Sequence, residues 1–434
     1  MKRLIDELLT AWQHRRQRKP LVVRGARQVG KTYSVSAFGR QHFAQLLHVD
    51  FELDRGIHRI FAGDLQARRL ALDLEAYTQI PVVPGRTLLF LDEIQACPQA
   101  LMALRVLHEQ MPALHVIAAG SLLEFALEDS SFPVGRAEFE WLYPLCFEEF
   151  LWATGNAALA RRLPCVGKIP DLSTALHEKL LTALRYYFMV GGMPEAVQQY
   201  AAGATLEDVG RVHRSLIHGY AQDFAKYGGR LDRECIEQVF QQIPGQVGRQ
   251  IKYTALYPEK RIETIKRALH VLERTLVVHR VRATRAQGLP LGADVAAKSF
   301  KAVFLDIALM QVMCGISARE VLAAGDLLAV YRGALAEQFV GQELLARGGS
   351  EDNQLYYWAR QQRNSDAEVD YLWRRGAALV PIEVKSGTSG RLKSMALFLA
   401  EHPQCRTGVV LSSALAEQPR RAALQFLPLY AKFA

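Results

Sequence analysis

The sequence predicts an α/β fold with a parallel sheet near the N-terminus, a helical middle, and a second, separate α/β unit at the C-terminus. Three observations carry this. Leu21–Arg24 is a short apolar strand that runs into a Gly-rich turn and then a helix over about 31–40. Strands and helices alternate as far as Gly120, which demands crossover connections and hence parallel pairing. After a helical stretch, the alternation returns over residues 330–434.

In chain order, residues 3–17 read as a helix, because Leu4, Leu8, Leu9 and Trp12 fall on one face. Pro20 ends it. The spacing then predicts strands at Leu46–Phe51, Thr87–Leu91 and His115–Ala119, with a helix at Pro98–Met111 behind the second of these. From about 150 to 230 the apolar period is three to four, with a break at Gly191-Gly192-Met193-Pro194. Residues 233–283 give three short helical segments and a strand-like Leu276–Arg282. A turn over Gly288–Gly292 follows. The last stretch reads as a helix (Gly333–Leu345), strands at Gln354–Trp358, Glu368–Trp373 and Leu379–Val384, a helix near 391–401, and a strand at Thr407–Ser412. The expected domains are 1–150, 151–232, 233–329 and 330–434, with no internal repeat.

The composition fits a multidomain globular chain. Among 434 residues, half are hydrophobic and 22% charged, which excludes low-complexity and disordered classes. No apolar run reaches the roughly 18 residues of a membrane span, and no signal peptide is legible, so a cytoplasmic location is expected. Six scattered cysteines without a CxxC pair predict reduced, mostly buried thiols. The net charge is +9, and residues 1–40 alone hold ten Lys/Arg against two acids. That excess suits bound phosphate, nucleic acid or a solvated leading helix.

Gly25-Ala26-Arg27-Gln28-Val29-Gly30-Lys31-Thr32 matches GxxxxGK[ST] in the required setting, after a strand and opening a helix. Backbone N–H groups of such a loop cradle phosphate oxygens at a helix N-terminus. Gly25, Gln28, Val29 and Gly30 supply the cradle, Lys31 reaches the β and γ phosphates, and Thr32 offers its hydroxyl to Mg2+. The strand Thr87–Leu91 ends in Asp92-Glu93. Asp92 is expected on Mg2+, and Glu93 as the base that deprotonates the attacking water. No NKxD signature is found, so ATP is the expected nucleotide. Ser121 closes the strand expected between those two, either to hydrogen-bond the γ-phosphate or water or to form a simple cap. Arg136 is either a transition-state arginine, in cis or across a subunit interface, or a salt-bridged surface residue. Asp50 and Glu52 are expected to orient Mg2+ or water, or to serve structure.

Together GARQVGKT, TLLFLDEIQ, AAGSLLEF, FPVGRAEFEWLYPLCFEEFL and YYFMVGGMPEAV resemble a prokaryotic family of AAA+-like ATPases with a C-terminal domain of unknown function. The family is similar to the STAND group. The resemblance continues through FKAVFLDIAL, GALAEQFVGQELL and PIEVKSG; one departure is Ala119, where relatives often carry a hydroxyl residue. It implies a P-loop NTPase sheet, a helical lid, a winged helix and a restriction-endonuclease-like domain. The winged helix, at 233–283, would present Lys260, Arg261, Lys266 and Arg267 on its third helix, with Arg280, Arg282 and Arg285 on the wing, either to DNA or as a spacer.

In the last domain Asp370, Glu383 and Lys385, with Glu337 on the preceding helix, fit a PD-(D/E)XK pattern. Alternation puts Glu383 and Lys385 on one face, and Asp370 lies on the neighbouring strand. The carboxylates would hold Mg2+, with Lys385 orienting a water toward a phosphodiester. The expectation is an Mg2+-dependent ATPase joined to a nuclease-like, nucleic-acid-associated domain, possible partners being DNA or RNA and a homo-oligomer. The alternative is a slow ATP-gated switch or scaffold that serves a protein partner, with a non-catalytic C-terminal domain.

Overall fold

A computed structural model describes residues 1–121, 123, 135–168, 171–224, 232–288, 290–318, 320, 333–348, 354–360, 367–385, 392–415 and 423–433. Phe132-Pro133-Val134, Leu289 and Ser386-Gly387, quoted above, lie outside them. The chain divides into two compact units, Met1–Tyr143 and Pro144–Ala434.

In the first unit, helix α1 (Ile5–Gln13) precedes strand β1 (Leu21–Arg24) and helix α2 (Lys31–His42). Strand β2 (Gln45–Asp50), helix α3 (Ala67–Thr78), strand β3 (Thr87–Asp92), helix α4 (Pro98–Gln110), strand β4 (His115–Gly120) and strand β5 (Glu138–Trp141) follow. Among the described residues the sheet order is β2-β3-β4-β1-β5, all parallel. The sequence expectation of a parallel α/β sheet therefore holds, with β4 between the strands that end in the Gly-rich loop and in Asp92. Every residue of β3 and β4 is buried, which is why both read as continuous apolar runs. Leu89, Leu91, Val116 and Ala118 pack with Leu70, Leu74, Leu101 and Leu104 of the covering helices. Each such leucine removed from water contributes roughly 2 kcal/mol. Strand β5 escaped the sequence reading because Glu138-Phe139-Glu140-Trp141 is only partly buried and carries two acids.

The second unit begins with helix α5 (Phe147–Ala153), then α6 (Thr174–Val190), α7 (Pro194–Ala201) and α8 (Leu206–Asp223). Helices α9 (Arg233–Gln242) and α10 (Ile262–Arg274) lead into β6 (Val278–Thr284), β7 (Val295–Phe304) and α11 (Ile307–Met313). Helix α12 (Ala334–Arg347), strands β8 (Leu355–Ala359), β9 (Glu368–Arg375) and β10 (Ala378–Val384), helix α13 (Lys393–Glu401), and strands β11 (Gly408–Ser412) and β12 (Leu424–Pro428) complete it. The described strands form one mixed sheet in the order β12-β11-β10-β9-β8-β6-β7. Strand β6, whose Arg280 and Arg282 were expected on a wing, pairs with the unexpected strand β7 and, in parallel, with β8, so it belongs to the C-terminal sheet. No local signal announces such a pairing.

Buried polar residues stitch this unit together. Asp306 caps α11 by accepting from the N–H groups of Ala308 and Leu309, and its second oxygen accepts from Gly192 N–H at 2.6 Å. Two segments singled out by sequence, around Gly192 and Asp306, therefore meet. At the start of α5, Phe147 N–H donates to Glu343 at 2.6 Å, and Arg347 bridges Glu343 and Glu148. Cys97, Cys146, Cys165, Cys235 and Cys405 are free and buried, and Cys314 is half-buried. No described helix is long and apolar enough to cross a membrane.

Candidate functional site

The loop between β1 and α2 bends back on itself through two left-handed residues, Gln28 (φ 60°) and Gly30 (φ 94°). Gly30 takes that conformation without the clash a side chain brings. At Gly25 the constraint is space, since a Cβ there would lie 2.3 Å from the Leu142 carbonyl oxygen. Arg3, itself buried, braces the loop by donating to the carbonyls of Val29 (3.1 Å) and Tyr143 (2.7 Å). Part of the N-terminal basic excess is therefore structural. Arg15 pairs with Glu138, Arg18 donates to backbone carbonyls, and Arg27 pairs with Glu52.

Lys31 is buried and its Nζ donates to the carbonyls of Gly25 (3.0 Å) and Ala26 (2.8 Å). Burial lowers its pKa to about 8, against the opposing pull of the Glu93 and Asp92 carboxylates. Thr32 Oγ1 donates to Asp92 Oδ2 at 2.6 Å, so residues sixty positions apart in sequence converge. Glu93 sits at φ 47°, a backbone state that costs a non-glycine residue about 1–3 kcal/mol and clusters at functional sites. Its side chain accepts from Gln95 Nε2 (2.6 Å) and Ser121 Oγ (3.4 Å), and its N–H donates to Asp92 Oδ1 (3.0 Å). Lys31, Thr32, Asp92, Glu93 and Ser121 are thus assembled at one end of the sheet.

Sequence reasoning missed three contributors here. His48 stacks on Phe90 and places Nε2 3.3 Å from Asp92 Oδ2. Gln95 holds Glu93, and Arg3 supports the loop; Gln95 stood in the TLLFLDEIQ run and Arg3 in the basic excess, but neither spacing nor charge assigned them these contacts, and His48 gave no signal. Asp50 has a local role, accepting from the N–H groups of Glu52 and Leu53. Arg136 lies elsewhere. It pairs with Glu109, near the C-terminus of α4, at 3.2 Å, and it precedes β5. That is the end of the sheet where strands begin, opposite the Gly-rich loop, and the side chain is 48% exposed. Arg136 is therefore not among the residues assembled beside the Gly-rich loop.

The oxygens of Thr32 and Asp92 suit Mg2+, which takes one or two protein ligands and fills its shell with water and phosphate. Among the described residues no group of three or more His, Cys, Asp or Glu is placed to hold a metal ion. A pH signature follows from Lys31. Free protein loses the Lys31 charge as pH rises through about 8, whereas bound phosphate favours the ammonium. ATP binding at pH 8–9 is expected to take up a proton and to weaken with rising pH. Calorimetry in buffers of different ionisation enthalpy measures that uptake, and its absence in the parent protein would contradict a Lys31–phosphate contact.

In the second unit, Glu337, Asp370, Glu383 and Lys385 also come together. Backbone pairing of β9 with β10 ends at Tyr371 and Ile382, and Asp370 Oδ2 then accepts the N–H of Val384 (2.8 Å). Lys385 Nζ lies 2.5 Å from Glu383 Oε1. Burial and the Asp370 charge push Glu383 and Glu337 above the usual carboxylate range, against the opposing pull of Lys385 on Glu383 and of Lys301 on both. Lys301 of β7, quoted in FKAVFLDIAL but given no role, lies among these acids. Of the basic residues expected on the winged helix, Lys260 pairs with Asp232, Lys266 with Glu263 and Arg280 with Glu273, while Arg261 and Arg267 face solvent.

Residues 17–151 match a family described as AAA domain. Residues 181–320 and 332–431 match two families described as domains of unknown function, DUF8612 and DUF4143. Among solved structures, the chain is similar to the Aeropyrum pernix ORC1 protein in complex with DNA (13% identity, covering 72% of this chain and 90% of that one, TM-score 0.28). It is also similar to AMPPCP-bound DnaA from Aquifex aeolicus (10%, 62% and 86%, TM-score 0.29) and to C. elegans PCH-2 (12%, 50% and 60%, TM-score 0.25). No curated protein matches the chain. The AAA match and the geometry of its loop support an ATP-binding ATPase unit.

Proposed function

We propose that the chain is an Mg2+-dependent ATPase of AAA+/STAND type whose N-terminal unit hydrolyses ATP and whose second unit engages a partner. The observation that carries this is the convergence of Thr32, Asp92 and Glu93 beside the buried Lys31 ammonium. Lys31 exchanges its carbonyl partners for β and γ phosphate oxygens, and the loop amides of residues 25–30 hold the remaining charge. Bound through Thr32 and Asp92, Mg2+ supplies electrostatic stabilisation of the phosphates. Glu93 takes the proton of the attacking water, and Ser121 orients that water or the γ-phosphate. The test is ATP turnover of the full chain with Mg2+ and with excess chelator. Turnover that is lost on chelation is expected, and binding without turnover would instead favour the ATP-gated switch.

Arg136 lies at the end of the sheet opposite the loop, and its proposed target is the nucleotide of a second copy in a homo-oligomer. Turnover per chain is then expected to rise with protein concentration, and Arg136→Ala to lower kcat by roughly 10³ with little change in ATP affinity. Flat turnover per chain across concentrations, with a monomer in sedimentation, would leave Arg136 a surface residue paired with Glu109.

For the second unit we favour the non-catalytic alternative, a nuclease-like sheet used as a binding module for nucleic acid or protein. The supporting observation is that Lys301 already occupies its acidic cluster.

A further inference from the structure

Lys301 is a middle residue of β7 and its side chain is only 4% exposed. Its Nζ lies 2.8 Å from Glu337 Oε2, 2.5 Å from Glu368 Oε1 and 3.2 Å from Asp370 Oδ1. An ammonium has three N–H donors, and here three carboxylates surround it. Other oxygens of the cluster are also engaged. Asp370 Oδ2 accepts from Val384 N–H, Glu368 Oε2 from Gln250 Nε2 (2.7 Å), and Glu383 Oε1 from Lys385. Glu383 Oε2 is buried without a hydrogen-bond partner among the described residues, and one carboxylate oxygen does not make a metal centre.

We propose that Lys301 is a built-in cation that fills the carboxylate cluster of the C-terminal sheet and keeps divalent metal out of it. A divalent ion needs oxygens at about 2.0–2.6 Å, so one seated on Glu337 and Asp370 would have to share their oxygens with an ammonium already in contact with them. Two cations that close repel strongly in a buried setting, where water screens little. The residues therefore do not fit the metal that a PD-(D/E)XK pattern implies: the acids are present, and an internal lysine occupies the space between them. This deepens the non-catalytic reading of the second unit and is independent of ATP hydrolysis.

The test is Mn2+ binding to the full chain without nucleotide, followed by electron paramagnetic resonance. Metal at this cluster is read as the difference between each protein and its Asp370→Asn form, which subtracts any Mn2+ held near Asp92. Parent and Asp370→Asn are expected to bind alike. Lys301→Met is expected to gain one Asp370-dependent site, tighter than anything in the parent by about a hundredfold, because a buried positive charge has been removed beside the ion. Circular dichroism and retained ATP hydrolysis check its fold. If Lys301→Met does not fold, Lys301→Met with Glu368→Gln removes an acid together with the base and takes its place. Asp370-dependent Mn2+ binding by the parent would overturn the proposal, as would a folded Lys301 variant that gains no site. A parallel assay with single- and double-stranded DNA and RNA separates the two readings. Asp370-dependent binding without cleavage overturns metal exclusion alone, whereas Asp370-dependent cleavage overturns the non-catalytic reading as well.

Discussion

Lys31→Ala is expected to abolish measurable ATP binding, while Glu93→Gln keeps it and stalls hydrolysis. The two residues act on different charges. Lys31 meets phosphate charge already present in the ground state, and its buried ammonium has no water shell to give up. Losing charge-assisted contacts to two phosphates weakens binding by about a hundredfold or more. Glu93 acts on the water, so its amide removes the base and leaves the phosphate contacts intact. A loss of about 10²–10⁴ in kcat with near-unchanged affinity is expected. The amide also keeps an oxygen that accepts from Gln95 and Ser121, so the left-handed turn at Glu93 should survive. Fluorescent-nucleotide titration and steady-state hydrolysis separate the effects. Equal loss of affinity in both variants, or normal turnover in Glu93→Gln, would remove Glu93 from the base role.

The second large effect lies far from any phosphate. Arg347→Ala is expected to destabilise the second unit by about 3–5 kcal/mol, because it strands two buried carboxylates, Glu148 and Glu343. In a unit of this size that lowers Tm by roughly 10 °C. Glu343 also accepts the first N–H of α5, and Lys432 pairs with Glu148 at 3.1 Å, so three distant segments loosen together. Replacing the pair with Arg347→Met and Glu148→Gln is expected to recover part of the loss, since a buried ion pair is costly to break and cheap to replace. Differential scanning calorimetry measures both. A single variant with an unchanged transition would mean the network contributes nothing.

What this sequence determines unaided is local. The strand, Gly-rich turn and helix at 21–42 are contiguous, so Gly25, Gly30, Lys31 and Thr32 announce their site through spacing, and an apolar run ending in Asp92-Glu93 announces its partner strand. The parallel order follows because crossovers leave few alternatives. That Glu383 and Lys385 share a face was legible for a similar reason, since alternation fixes faces within a strand. Contacts between strands far apart in sequence were decided by the tertiary structure. The pairing of β6 with β8 merges the expected wing with the last sheet, because backbone hydrogen bonds carry no residue code to read. The position of Arg136, at the end of the sheet opposite the loop and paired with Glu109, was likewise not legible in its motif. Lys301 is the sharpest case: a residue quoted within FKAVFLDIAL but given no role, more than thirty positions before the acids it meets, is the cation that sits among them. A sequence shows which charges exist; only packing shows which charge each one faces.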